Sequence, residues 1–498
     1  MRTNTSFVAA AIVALATITT ACTDQNSNTP DAPTLAIRRI SGVSVAPLTA
    51  SVATGKTTQL SATVKDRFGR TVTGARVLWL AQDSLIASVS QTGVVTGKKA
   101  GTVMVGATLN GSSAASTITV SGVATPPPPP RDTTPKPPVD TTPTPTPPPV
   151  GTSGRWVSGY YAGYQRYLYP ETAIDFTLLT HIFVAAIEPT GNGGVTSDFF
   201  VDNVNGPAMA RTIATRAHAA GRKAILMLGG SGYRDGLAAS TTAANMPTFV
   251  NNLISTMTAL GYDGIDVDWE PISTADQPLV LDLLKRLRAA KPGIILTIPV
   301  AWHGPLTSWY AQVAAVVDQV NIMSYGMAGN WGGWDSWHQG ALFGETATRP
   351  TSVSAAVKLY QNVGVPNAKI GIGIGFYGSC WKGVNTMGVP LAAGQDVGAN
   401  DNTMSYVNIM TSYYNASNYR WDAVAKEGYL SFSQATGPAA CNMVSYDDPQ
   451  AITEKGNYVR SAGLGGTIIW TINQAYFPNA AAGSRDPLVK AAYTSIAP

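Results

Sequence analysis

Four acids crowd one short stretch of the chain, Asp263-Gly264-Ile265-Asp266-Val267-Asp268-Trp269-Glu270. Between them stand Ile265, Val267 and Trp269, residue types that favour strands. Alternation of acidic and apolar residues with period two is the pattern of a β-strand, so Asp266, Asp268 and Glu270 face one way and the three apolar residues the other. Neighbours on one face of a strand lie roughly 6.5–7 Å apart along it. Three carboxyls that close repel one another when all are ionised, so at least one holds a proton near neutral pH. A protonated carboxylic acid beside ionised partners is what general acid catalysis requires. Two blander readings compete. A calcium loop wants Gly after its third acid, whereas Pro271 follows Glu270 and the interleaved residues are bulky. A solvated charge run does not normally carry Ile, Val and Trp between its acids.

Such a strand needs a scaffold. From residue 154 to 498, apolar strand-like runs alternate with helical patterns. Eight runs read as strands: Trp156–Tyr161, Thr180–Ala186, Lys223–Leu228, Gly264–Trp269, Ile294–Pro299, Val320–Tyr325, Ile370–Gly375 and Gly466–Trp470. Helical segments fall between most of them, among them Met209–Ala220, Met246–Leu260, Gln277–Ala290 and Thr351–Val363. Eight β/α repeats over about 345 residues predict an α/β domain of the (β/α)8 TIM-barrel class, which places chemistry at the C-terminal ends of its strands. Glu270 ends the fourth. A doubly wound sheet is the competitor, but no Gly-rich phosphate loop follows the first strand. A surplus at about 378–447, between strands seven and eight, reads as a small α+β insertion walling a groove. Cys380 and Cys441 flank it. In an oxidising compartment they can pair across 61 residues; the alternative is two buried thiols.

The rest of the 498-residue chain is built differently. Residues 1–22 read as an export signal, with Arg2 ahead of an apolar run, Phe7 to Ile18, too short for an ordinary membrane span. Thr19-Thr20-Ala21-Cys22 resembles a bacterial lipoprotein cleavage box, with Thr19 where Leu is usual. This makes Cys22 a lipidation candidate and the protein extracellular or cell-surface; ordinary cleavage near Ala21 is the alternative. Residues 37–122 carry short alternating runs punctuated by glycine: Ser41–Ala46, Thr57–Lys65, Ala75–Leu80, Ile86–Ser90, Gly93–Thr96, Gly101–Leu109 and Ser116–Ser121. They predict an all-β sandwich with Trp79 in its core. Residues 123–153 are a Pro/Thr-rich linker; at ~3.1 Å per residue, polyproline II over about thirty residues reaches roughly 90 Å. The charged fraction is low, 12%, and a net charge of +4 is too weak to argue for nucleic acid. The four His (His181, His218, His303, His338) have no metal-ligand spacing.

The acidic stretch resembles the DGxDxDWE motif of glycoside hydrolase family 18 chitinases. Further similarity runs along the large domain: Leu178-Leu179-Thr180-His181-Ile182, Gln319-Val320-Asn321-Ile322-Met323-Ser324-Tyr325, Lys369 to Gly378, Tyr446-Asp447-Asp448-Pro449, and Leu464 to Trp470. The surplus looks like the insertion that deepens the groove in one subgroup. In the N-terminal module, Thr57-Thr58-Gln59-Leu60-Ser61-Ala62, Val77-Leu78-Trp79 and Ile86 to Gly97 resemble bacterial immunoglobulin-like group 2 domains, read as a spacer in preference to an adhesion module.

The resemblance implies substrate-assisted retaining hydrolysis of chitin, β-1,4-linked N-acetylglucosamine, by a monomer without metal or cofactor. Glu270 is then the acid/base. Asp268 orients the acetamido N–H, Asp266 shares a proton with Asp268, and Tyr325 donates to the acetamido carbonyl. Trp470 floors the distorted sugar, and Tyr160, Met323, Gly229 and Gly230 are further substrate-binding candidates. Asp263 is structural. Sugars stack on aromatic faces, so Trp302, Trp331, Trp334, Trp337 and Trp381, just after predicted strands, are candidates for further subsites, with Trp302 and Trp381 foremost. Three positions depart from the family pattern: Met227 where Ser is usual before Leu228-Gly229-Gly230, Gly326 where Asp usually follows Tyr325, and Ala186 where an aromatic is common. A non-catalytic glycan-binding protein and an endo-β-N-acetylglucosaminidase are the competing functions. Binding-only relatives typically lack the acid that Glu270 supplies, and the glucosaminidases usually lack the insertion.

Overall fold

The computed structural model describes residues 40–121 and 154–497, apart from a few positions in the N-terminal module and residue 305. The export signal, Cys22 and the linker lie outside the described residues.

Eight parallel strands close into a barrel: β1 (Trp156–Ala162), β2 (His181–Pro189), β3 (Lys223–Ser231), β4 (Gly264–Glu270), β5 (Ile295–Ala301), β6 (Gln319–Met323), β7 (Ile370–Gly375) and β8 (Gly466–Trp470). Each pairs with its successor, and β8 returns to β1. All eight anticipated strands are present. β2 and β3 run three residues further than their apolar runs. β6 stops at Met323, so Tyr325 sits just past the strand instead of ending it.

The outer layer follows from the helical periodicities. The helices Met246–Leu260 and Gln277–Ala290 keep the bounds read from sequence. Each carries Pro at its start, where the missing N–H costs nothing, and the first ends on Gly261 in the left-handed region. Val353–Asn362 begins on Ser352, whose hydroxyl accepts from the Ala355 N–H at 3.0 Å. Ile265, Val267 and Trp269 are buried in the main core between barrel and helices, together with Phe249, Leu253, Leu284 and Leu287. The period-two reading of β4 therefore holds: its apolar face meets the helices and its acids face the barrel interior.

The insertion is a five-stranded antiparallel sheet, ordered Asp396–Ala399, Gly378–Lys382, Cys441–Tyr446, Glu427–Thr436, Tyr419–Asp422. The Cys380 and Cys441 sulfurs are bonded at 2.07 Å. A fully buried ion group ties the sheet to the next helix: Lys455, from Pro449–Ser461, pairs with Asp447 and lies 4.0 Å from Glu427.

The N-terminal module is a β-sandwich around Leu60, Trp79, Val95, Val103, Val105, Ile118 and Val120. Here the expected strand Thr57–Lys65 is two. Thr57–Gln59 pairs with Val94–Gly97, and Ser61–Asp66 pairs with Ile40–Ala46. The chain changes sheets at the fully buried Leu60, whose N–H donates to the Gly93 carbonyl at 2.9 Å. Thr49–Ala53, not anticipated, adds in parallel to Ser112–Ser121.

Candidate active site

The acids of β4 step from the barrel interior to its mouth. Asp266 is fully buried, Asp268 nearly so, and Glu270 is the one residue of the strand left partly exposed. Their surroundings separate them. Asp266 accepts from the Tyr160 hydroxyl (β1) at 2.6 Å and from the Thr297 hydroxyl (β5) on its other oxygen. Burial nevertheless dominates and, with the Glu270 charge, lifts its pKa to about 7. Asp268 donates its carboxyl proton to Glu270. Burial, then the charges of Glu270 and Asp266, push Asp268 well above the carboxylate range. Burial also raises Glu270, and the hydrogen bonds it accepts from Asp268 and the Ser231 N–H oppose that rise. The other oxygen of Asp268, Oδ1, is buried and has no hydrogen-bond partner. Asp268 thus hydrogen-bonds Glu270, where pairing with Asp266 was expected; two hydroxyls already serve the Asp266 oxygens.

Close approach of β3 makes room for this. Gly229 and Gly230 pair in register with Asp268 and Trp269, at φ of 90° and 104°, where side chains are rarely tolerated. A Cβ on Gly229 would lie 2.6 Å from the Asp268 carbonyl, and one on Gly230 2.9 Å from the Met227 methyl.

Tyr160, Met323, Tyr325 and Trp470 meet in one apolar cluster inside the mouth, with Phe183, Met227 and Phe200. The Tyr160 and Trp470 ring centroids are 5.5 Å apart. Burial and the neighbouring Tyr377, Glu270 and Asp268 raise the Tyr325 pKa far above neutral, so its hydroxyl keeps its proton and can donate. The Trp470 indole donates to Asp401, which also accepts from Gln474 Nε2 at 2.8 Å. Asp401 comes from the insertion, and no sequence pattern marked it. Thr297, on β5, was likewise unmarked; Tyr377, within the stretch Lys369 to Gly378, has its hydroxyl 3.4 Å from where a Gly326 Cβ would stand.

The candidate sugar platforms divide. Trp302, Trp331 and Trp334 form a group with centroids 5.0–6.3 Å apart, His303 stands edge-on to Trp302, and Trp331 is 43% exposed. Trp337 is buried under the Arg349 guanidinium. Trp381, expected to offer a face to substrate, is fully buried, and its indole donates to the Trp337 carbonyl at 3.1 Å. It packs the insertion's own small core, with Val384 and Met443. Asp263 sits at the opposite end of β4. It accepts from the Ala224 N–H, His218 and Lys223 at 2.7–3.1 Å, and these donors outweigh burial to hold its pKa below the usual value.

This constellation matches a known family over residues 157–475, described as Glycosyl hydrolases family 18. The chain belongs to that family. Residues 40–120 match the Bacterial Ig-like domain (group 2). Among curated relatives, Endochitinase 1 of Metarhizium robertsii is 29% identical over 265 residues, covering 50% of this chain and 60% of that protein. Chitinase A1 of Niallia circulans is 26% identical over 287 residues, covering 50% of this chain and 40% of its own length. The chain thus spans 60% or less of the length of these two relatives. The crystal structure of an Ostrinia furnacalis Group IV chitinase with allosamidin superposes with a TM-score of 0.57 at 22% identity, over 68% of this chain and 98% of that one. At that identity the likeness is one of fold.

Proposed function

We propose that the protein is an exported chitinase that hydrolyses β-1,4-linked N-acetylglucosamine polymers by substrate-assisted retaining catalysis, endo in action and monomeric. In this reading residues 1–22 direct export, and Cys22 carries the lipid if the chain is anchored. The observation that carries the mechanism is the Asp268–Glu270 hydrogen bond beside one buried Asp268 oxygen without a partner.

A substrate acetamido N–H supplies the hydrogen bond that Asp268 lacks. Once that N–H binds, Asp268 is better satisfied as a carboxylate, and its proton moves to Glu270. Glu270 then protonates the glycosidic oxygen. The acetamido carbonyl oxygen attacks the anomeric carbon as the bond to the leaving sugar breaks, giving an oxazolinium ion. The Asp268 carboxylate stabilises the positive charge on nitrogen, and the Tyr325 hydroxyl holds the carbonyl for attack. Water then adds to the anomeric carbon from the side the leaving group vacated and gives its proton to Glu270, reopening the ring with the β configuration retained.

The test is cleavage of chitohexaose. Removing the general acid in Glu270→Gln should lower kcat by about 10²–10⁴-fold and leave oligomer binding intact. The first anomer released, read by proton NMR, should be β. Undiminished turnover in the variant refutes the role of Glu270, and an α product refutes retention.

A further inference from the structure

Phe199 and Phe200, in the loop before the helix Asn205–Ala219, have φ of 54° and 58°. Two successive bulky residues in the left-handed region are costly, and such strain persists only where the surroundings enforce it. Here they do. The Phe200 N–H donates to Asp198 Oδ1 at 2.9 Å, and the Val201 N–H donates to the Asp198 carbonyl at 3.0 Å. The turn is pressed between two backbones. A Cβ on Gly163 would lie 2.1 Å from the Phe199 carbonyl oxygen, and one on Gly206 1.9 Å from that of Asp198.

The two rings go to different places. Phe199 is fully buried in the main core and anchors the loop. Phe200 remains partly exposed and packs on the cluster in the barrel mouth that contains Tyr160, Met323, Tyr325 and Trp470. Strand β2 contributes Phe183, Ala185 and Ala186 to that cluster, all buried; Phe183 stands edge-on to Tyr160 at 4.9 Å, and past it towards the mouth the strand adds only the two small alanines. The Tyr164 ring stands edge-on to Phe200 at 5.8 Å. One anchor suffices to hold the loop. A second aromatic, strained and only half covered beside the catalytic residues, is a poor choice for packing alone.

We propose that Phe200, with Tyr164 behind it, is a substrate-positioning wall of the cleft, set against the apolar C–H face of a pyranose in the β-linked amino-sugar chain. This rests on the glycosidase reading of the site. Phe200 takes no part in proton transfer; it acts by fixing the sugar on which Glu270 and Asp268 work.

The test uses the full chain. Phe200→Gly removes the ring and also relieves the left-handed strain. It should keep or raise the thermal midpoint. Its KM for chitohexaose should rise about tenfold with a smaller change in kcat, the size expected for losing one aromatic platform. Binding of chitohexaose in the Glu270→Gln background, followed by tryptophan fluorescence, should weaken by the same factor. Phe200→Tyr should retain KM within about twofold, since the flat face is kept. Unchanged KM and affinity in Phe200→Gly, in a wild type that cleaves chitohexaose, overturn the proposal and leave the enzyme assignment standing. A lowered thermal midpoint with unchanged KM makes Phe200 a packing residue and also overturns it. A wild type that neither binds nor cleaves chitohexaose removes the substrate reading itself.

Discussion

Replacing Asp266 by Asn should stabilise the protein in a way that grows with pH. In the folded protein the Asp266 carboxyl titrates at about 7, against 3.8 for the unperturbed group, with burial the chief cause. A raised carboxyl pKa means that the folded state holds a proton the unfolded state has released. Stability is therefore fully present below the unfolded value and is lost as pH climbs through the folded one. Between pH 5 and pH 7 that loss amounts to about 3 kcal/mol, at about 1.4 kcal/mol per pH unit. Above pH 7 both states are ionised and the loss levels off. Asn cannot ionise, and it can still accept from Tyr160 or Thr297. The difference in unfolding free energy between Asp266→Asn and the wild type should thus be about 3 kcal/mol more favourable to the variant at pH 8 than at pH 5. Urea denaturation of both proteins at the two pH values measures this directly. Activity should move the other way, because the Asp266 charge helps raise Asp268 and its loss weakens the hold of Asp268 on its proton. A pH-independent stability difference would refute the argument that Asp266 is buried at a cost in its ionised form.

Three further outcomes follow from neighbouring features. Gly326→Asp places a carboxylate near Tyr377 and Glu270; like charge raises the pKa of the acid, so the alkaline limb of the kcat/KM profile should shift to higher pH. Cys441→Ala opens a 61-residue loop and should cost up to about 4 kcal/mol of stability in thermal unfolding without reductant. With dithiothreitol the wild type and the variant should converge. Lys455→Met leaves Asp447 and Glu427 buried without their cation and should destabilise by about 3–5 kcal/mol in urea titrations.

Much of the fold was legible because it is local. Alternation in Asp263 to Glu270 sets which face each side chain takes, and backbone geometry alone enforces that along a strand. Apolar spacing, an early Pro and a terminal Gly delimited Met246–Leu260 to the residue. The split of Thr57–Lys65 at Leu60 was not legible, since an unbroken alternation does not record which partner each half will find.

The site divides along the same line. Residue type and period were enough to mark Asp266, Asp268 and Glu270 as three like-facing acids, at least one of them protonated. Which neighbour Asp268 bonds was decided by Tyr160 and Thr297, 106 and 31 residues from Asp266 in sequence, whose hydroxyls occupy the Asp266 oxygens and leave Asp268 to Glu270. Whether a tryptophan is exposed or a core residue was decided by tertiary packing, which leaves Trp331 43% exposed and buries Trp381 in the insertion's own core. Asp401 reaches Trp470, and Phe200 reaches the barrel mouth, through loops without periodicity. A strand's pattern tells each side chain which way to point; only closure of the barrel determines what it meets there.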